Sequence, residues 1–275
     1  MIVSISYYAS IKTDGFVPYK IPSQAPFREE WKTPTMDPHL VQRIFGQSFH
    51  YLGKGHQCFA FESEDGQYVL KLPIHARFLP PFWLRYLPVY GEYYRSKKIL
   101  KDYYKLAKDA RSYLLAYKRF PFETALVHVH LNRTDDLYHQ AVVIDKMNIP
   151  HSLDLDQTEF ILQRKAEPLL PMIERWMEEG HPEQAHHALS QLICLFHKRY
   201  AAGIEDRESL IEGNFGILGE HVVQIDIGRL RQSTTPFPQD ILWDRLTLLR
   251  DRLQSQYPEL ALYLERAWKE NLITP

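Results

Sequence analysis

The sequence predicts an α+β chain, strand-rich in its first half and helical toward its carboxyl end. Three observations predict this. Short apolar runs between Phe49 and Leu72 are broken by a Gly-Xaa-Gly turn and by Asp65-Gly66, the pattern of consecutive hairpin strands. From Glu92 to about Arg119 no Pro or Gly interrupts the chain, and Ile99, Leu100, Tyr103, Leu106, Ala110, Tyr113, Leu114 and Tyr117 recur at threes and fours. Beyond Pro168 helical periods dominate: about 168–179, then 182–202 with Ala185, Leu189, Leu192, Ile193, Phe196 and Tyr200 on one face.

The elements follow in order. Residues 1 to 35 carry Pro18, Pro22, Pro26 and Pro34 without sustained periodicity, and an extended amino-terminal strap is expected. The first eight residues are mildly apolar but too short for a signal-peptide core, although a longer apolar leader could precede them. Asp37-Pro38 predicts a short helix to about Phe45. Strands follow to Leu72, and Pro73, Pro80, Pro81 and Pro88 then frame an irregular apolar insertion. Ala125–Leu131 and Gln140–Asp145 flank a turn at 132–137 and are expected to form a hairpin. Glu159–Ala166 reads as a further strand, and two helices near 239–254 and 258–271 close the chain.

Composition bounds the function. The formal net charge of −1 gives no electrostatic case for nucleic acid, and the basic group at Arg95, Lys97, Lys98 and Lys101 is diluted by Asp102 and Asp109. Cysteine occurs only at 58 and 194, too few for a disulfide framework, so a reducing, cytoplasmic setting is expected. No run approaches the ~20 apolar residues of a spanning helix. His128 and His130 share a strand face, but without a third ligand they read as buried or rim histidines. His186, His187 and His197 read the same way, and the Tyr-rich helix reads as core packing.

Chemistry concentrates in Asn214-Phe-Gly-Ile-Leu218 and Val222-Val-Gln-Ile-Asp226-Ile-Gly-Arg-Leu230. An Asn opens one short apolar strand, and an Asp closes a second just before a Gly. Upstream stand Gly53-Lys-Gly55, where backbone could approach a phosphate, and Lys71 alone among the apolar residues of the third strand. Strand, glycine turn, strand, hairpin and strand with Lys, then Asn and Asp with eleven residues between them, resemble the protein-kinase-like superfamily from about Phe49 to Leu230. The Asp226-Ile-Gly-Arg run is similar to that of aminoglycoside phosphotransferases.

The resemblance implies a two-lobed protein-kinase-like fold with an antiparallel-sheet N-lobe, 36–166, and a small helical C-lobe, 167–275. It implies ATP and magnesium as cofactors. Gly53 and Gly55 would shape the phosphate loop, and Lys71 would hold phosphates with Asp109 as its acidic partner, Glu92 and Asp102 competing. Gln163 to Ala166 would be the adenine-binding linker. Asn214 and Asp226 would bind the metal, and Asp206 would act on the acceptor hydroxyl, with Glu208 its competitor. The implied activity is an atypical Mg-ATP-dependent phosphotransferase acting on a small molecule or a protein.

Departures are visible as well. Cys58 stands where a third loop glycine would fall, and no His-Arg-Asp run is present. Seven residues separate Asp206 from Asn214, against about four in the usual loop. Only Arg231–Gln239 stands where protein kinases carry their activation segment, and Ser233, Thr234 and Thr235 fit a phosphorylatable loop and a polar turn equally well. These features leave open a pseudokinase, a nucleotide- or partner-binding module without catalysis. An unrelated α+β interaction protein is the third alternative.

Overall fold

The computed structural model describes residues 11–23, 25–74, 90–206, 211–233 and 239–273. The fold is mixed α/β, with a seven-stranded sheet and helices. Two compact units form, Met1–Leu114 with Val127–Lys165 and Leu115–Leu126 with Ala166–Pro275.

In the first unit, helix α1 (Pro38–Phe45) starts where expected, because Asp37 Oδ1 accepts from the His39 and Leu40 amides at 2.9 and 3.1 Å. It stops at Gly46, where a Cβ would stand 2.5 Å from the Gln42 carbonyl oxygen. Strands β1 (Ser48–Lys54), β2 (Cys58–Ser63) and β3 (Tyr68–Pro73) form an antiparallel meander. Helix α2 (Tyr90–Arg119) follows the second proline-rich stretch, and β4 (Leu126–His130) comes next. Then β5 (Gln140–Ile144), β6 (Pro150–Asp154) and β7 (Phe160–Arg164) complete a sheet of order β4-β7-β3-β2-β1-β5-β6. Phe49, Phe61, Leu70, Leu72, Phe160 and Leu162 fill its core, and Val41, Ile44 and Phe45 of α1 pack on them.

The expected hairpin of 125–131 with 140–145 does not form. Strand β4 lies beside β7 at one edge, whereas β5 runs parallel to β1, Phe49 opposite Val143. The connecting residues are tied down elsewhere: the Asp156 carboxylate accepts from the Leu137, Tyr138 and His139 amides and from the Thr134 hydroxyl. That anchoring turns a presumed hairpin turn into an ordered crossover. The true hairpin partner of β5 is β6, reached through a turn in which Asp145 Oδ1 accepts from the Met147 and Ile149 amides. Strand β6 is polar and opens on Pro150, as suits a sheet edge, and so carries little apolar signal.

The amino-terminal strap contributes to this unit's core. Phe16 packs edge-on to Phe59 and Phe61, and Ile21 and Trp31 are buried. Asp14 ties the strap to the sheet: its Oδ2 accepts from Tyr51 Oη at 2.8 Å and Lys146 Nζ at 3.0 Å, and its carbonyl from Lys54 Nζ at 2.7 Å. Ser23 donates 2.6 Å to the buried Glu159 carboxyl.

Burial pushes Glu159 up to about 7 from 4.5, and the Ser23 bond only partly opposes it. A carboxyl whose folded pKa is raised contributes stability that is complete below pH 4.5 and is lost as pH rises through 7. Glu159→Gln, which cannot ionise, should therefore gain on the parent by about 3 kcal/mol between pH 4.5 and 8. Urea midpoints at several pH values check this, and a difference independent of pH would refute it. Burial also drives His128 down to about 4, with neighbouring His130 adding to the effect, but this is common to both proteins and cancels in the comparison.

The second unit packs helices α3 (Leu169–Glu178), α4 (Pro182–Ala201), α5 (Gln239–Gln256) and α6 (Pro258–Ile273) around Ile173, Leu189, Leu192, Phe196, Leu246 and Leu264. The short strands β8 (Glu167–Pro168), β10 (Phe215–Leu218) and β11 (His221–Gln224) form one sheet. Strands β9 (Ile204–Asp206) and β12 (Leu230–Gln232) form another. Gly216 is required, since a Cβ there would lie 2.8 Å from the Glu167 carbonyl oxygen and 2.9 Å from the Ala166 Cβ. Among the described residues no helix is long and apolar enough to cross a membrane.

Candidate functional site

The two candidate metal ligands come together through the backbone. Asn214 precedes β10 and Asp226 follows β11, and the antiparallel pairing of those strands brings the two ends to the same side. The Asn214 carbonyl accepts from the Ile225 amide at 2.8 Å and from the Asp226 amide at 3.3 Å. Asp226 is exposed, and its Oδ1 accepts from the Gly228 amide at 3.1 Å, the local turn an Asp side chain makes with the backbone two residues on. An amide and a carboxylate at one hairpin end suit magnesium, which keeps waters and substrate phosphates and asks for few protein oxygens. Among the described residues no group of three or more His, Cys, Asp or Glu forms a protein-only metal cage.

Asp206 stands apart from the role of an open base. It is 4% exposed on β9, and its Oδ2 accepts from Arg199 Nη1 at 3.2 Å and Gln224 Nε2 at 2.7 Å. Arg199 is equally buried on α4 and also donates to Gln224 Oε1 at 2.6 Å. Burial draws its pKa down to about 10, while Asp206 acts in the opposite direction. Its guanidinium lies 4.8 Å from the Phe196 ring centroid. This geometry favours a positioning carboxylate over one that reaches an acceptor hydroxyl. The competitor Glu208, with Arg207, lies outside the described residues, as do Thr234 and Thr235.

In the first unit, Lys71 sits mid-strand on β3, opposite Ala60 on β2 and Ile161 on β7. Residues directly opposite in antiparallel strands share a face. Lys71 therefore projects on the face that also carries Cys58 and Pro73. Asp109 on α2 is buried, and with Pro73, Gln57 and Glu159 it lines a small cavity. Gln57 Nε2 donates to Asp109 Oδ1 at 3.4 Å, and Tyr113 Oη donates to Gln57 Oε1 at 3.0 Å. The side chains of Glu92 and Asp102 lie outside the described ones.

Gln163 is buried inside β7, opposite Val69, rather than in a free linker. The Lys165 amide donates to the Gln67 carbonyl, and Ala166 begins the second unit's stretch beside Gly216. Of the expected linker, Gln163 and Arg164 thus belong to the sheet, and Lys165 is tied to the turn before β3.

The glycine turn is closed by the Gly55 amide donating to the Cys58 carbonyl at 2.9 Å. Gly53 and Gly55 show neither a positive φ nor a close neighbour: a Cβ at 53 meets nothing within 4 Å, and one at 55 only an atom at 3.7 Å. The fold itself thus does not require glycine at either place. Gly53→Ala should leave stability within about 0.5 kcal/mol of the parent yet weaken nucleotide binding if a phosphate approaches there. A melt paired with an ATP titration checks this, and unchanged affinity would remove the loop from the site.

A groove of about 560 Å³ in the second unit is lined by Phe122, Cys194, Leu195, Lys198, Leu218 and Val222 among others, and none of the candidate residues lines it. Sequence reasoning missed Arg199 and Gln224. The available signal was their polarity in apolar settings, Arg199 near the end of an amphipathic helix and Gln224 inside Val222–Ile227.

No protein-family model matches the chain, and no curated protein matches it. Among solved structures it is similar to WbdD in a co-crystal with the kinase inhibitor LY294002, at 13% identity and a TM-score of 0.39. That match covers 81% of this chain and 45% of WbdD. It is also similar to Rv3197 of Mycobacterium tuberculosis in its complex with erythromycin, at 16% identity and a TM-score of 0.34. Here the match covers 85% of this chain and 61% of Rv3197, so the chain spans less than two thirds of either relative.

Proposed function

We propose that the chain is a protein-kinase-like nucleotide-binding protein that uses ATP and magnesium as an atypical phosphotransferase, its acceptor a hydroxyl of a small molecule or a protein. The observation that carries this reading is the Asn214 carbonyl bound to the Ile225 and Asp226 amides, which gathers an amide and an exposed carboxylate at one hairpin end. Support also comes from Lys71 on the third strand of a glycine-turn meander followed by a long helix, the order in which kinases carry their phosphate-binding lysine. In this reading Asn214 and Asp226 hold the metal, Lys71 steadies phosphate oxygens with Asp109 as its acidic neighbour, and Gly53 and Gly55 leave room for them. Ala166, with Gln163 near the end of β7, is the proposed place of adenine contact. Bound magnesium would supply charge neutralisation at the phosphates. Phosphoryl transfer asks the protein chiefly for positioning and electrostatics, so a buried Asp206 does not remove the reaction.

One observation favours a second reading. With Asp206 engaged by Arg199 and Gln224, the usual acceptor-orienting carboxylate is withdrawn, as expected of a pseudokinase that binds nucleotide without transfer. Calorimetric titration of ATP with and without magnesium, on the parent and on Lys71→Ala, tests what both readings share. Binding that needs Lys71 supports them, and no binding at millimolar ATP overturns both. Release of ADP with a phosphorylated acceptor then separates enzyme from scaffold.

A further inference from the structure

The main chain around Asp226 is held from two sides. Its amide is fixed by the Asn214 carbonyl, and its carbonyl oxygen accepts from Gln224 Nε2 at 2.7 Å. Gln224 is 1% exposed, and its amide can face only one way. Oε1 meets the Arg199 guanidinium, a pure donor, while Nε2 meets Asp206 Oδ2 and the Asp226 carbonyl, both acceptors. Flipped, it would set donor against donor and oxygen against oxygen. Arg199 and Asp206 thus fix the orientation of Gln224, and Gln224 passes that orientation to the backbone of Asp226. A buried ion pair is weak as a source of stability, and its better-attested use is to specify one arrangement among several.

We infer that Gln224 is a positioning residue for the Asp226 carboxylate, locked by the buried Arg199–Asp206 pair, and that it sets the affinity for a divalent cation at Asp226. The part concerning the cation rests on the proposed function, whereas the part concerning the backbone stands by itself. The outer partners of a metal ligand commonly change metal affinity by about 10–100-fold.

The test uses the full chain carrying Gln224→Met, which keeps the volume and removes all three hydrogen bonds of the side-chain amide, with Gln224→Glu as a second variant. Gln224→Glu preserves the acceptor toward Arg199 and replaces the Nε2 donor by an oxygen. Two quantities are read: hydrogen exchange at residues 225–228, and the magnesium concentration needed to stabilise the ATP-bound protein. The expected result is about tenfold faster exchange at 225–228, with helices α4 and α6 unchanged, and about a tenfold rise in the magnesium requirement. ATP affinity without magnesium should stay the same. Unchanged exchange in a folded variant overturns the inference, whatever the nucleotide result. Faster exchange in a chain whose parent shows no magnesium-dependent ATP binding upholds the positioning role and overturns the functional reading. Should Gln224→Met not fold, Gln224→Glu gives the same readout.

Discussion

Asp226→Ala should abolish the magnesium-dependent part of the stabilisation by ATP while leaving the fold intact. A ligand that binds only the folded state raises stability by mass action, about 2.7 kcal/mol at a concentration a hundredfold above its dissociation constant. The parent should show that rise with ATP and magnesium together. The variant should show only what ATP gives alone. Asp226 is the cleanest position for this comparison because its side chain is exposed and its Oδ1 makes a local bond to the Gly228 amide, worth about 1 kcal/mol. Asn214 is buried, so truncating it would mix folding with binding. Thermal melts of both proteins, with ATP in the presence of magnesium or a chelator, decide the matter. An equal magnesium-dependent rise in Asp226→Ala would remove the carboxylate from the proposed metal site.

The largest effect on stability belongs to Asp206. Replacing it by Ala leaves the Arg199 guanidinium buried with a partner charge removed, and breaking such a pair from one side costs about 3–5 kcal/mol. Arg199→Met together with Asp206→Ala should recover most of that loss, since no buried charge then remains. The methionine stem would keep the packing against Phe196. Urea unfolding followed at Trp268 in the second unit's core and Trp243 packed against it reports the change where it occurs. A single-variant loss below about 1 kcal/mol would show that water or another group satisfies Arg199, and the locked arrangement around Gln224 would lose its foundation.

Much of the local structure was legible because it obeys one period at a time. The Asp37 cap, the Pro-free run of α2 and the face of α4 are short-range signals, and each element lies within a few residues of its expected place. Which strand pairs with which is not short-range. Strands β4 and β5 looked like hairpin arms because only a turn-like segment separates them, and nothing local announces that Asp156, much later in the chain, takes the amides of that segment. Strands β6, β8, β9 and β12 are too short or too polar to signal themselves. At the candidate site the residues of the β10–β11 hairpin were legible from order and spacing. The burial of Asp206 was not, because it depends on Arg199 and Gln224, two polar side chains whose partners only the folded chain supplies.

The position of β7 between β3 and β4 has a consequence for synthesis on the ribosome. Strands β1 to β3 can zip up as soon as they emerge, through tight local turns. The free side of β3 then presents unpaired backbone and the apolar Val69, Leu70 and Leu72 until Phe160–Arg164 has been made. Translation proceeds at about 5–20 residues per second, so a stretch of about ninety residues keeps that edge open for several seconds to about twenty. During that interval the nascent chain offers neighbours a ready template for strand addition. The gap is the time in which a chaperone would protect this protein, and slower translation between codons 74 and 160 should lower its soluble yield.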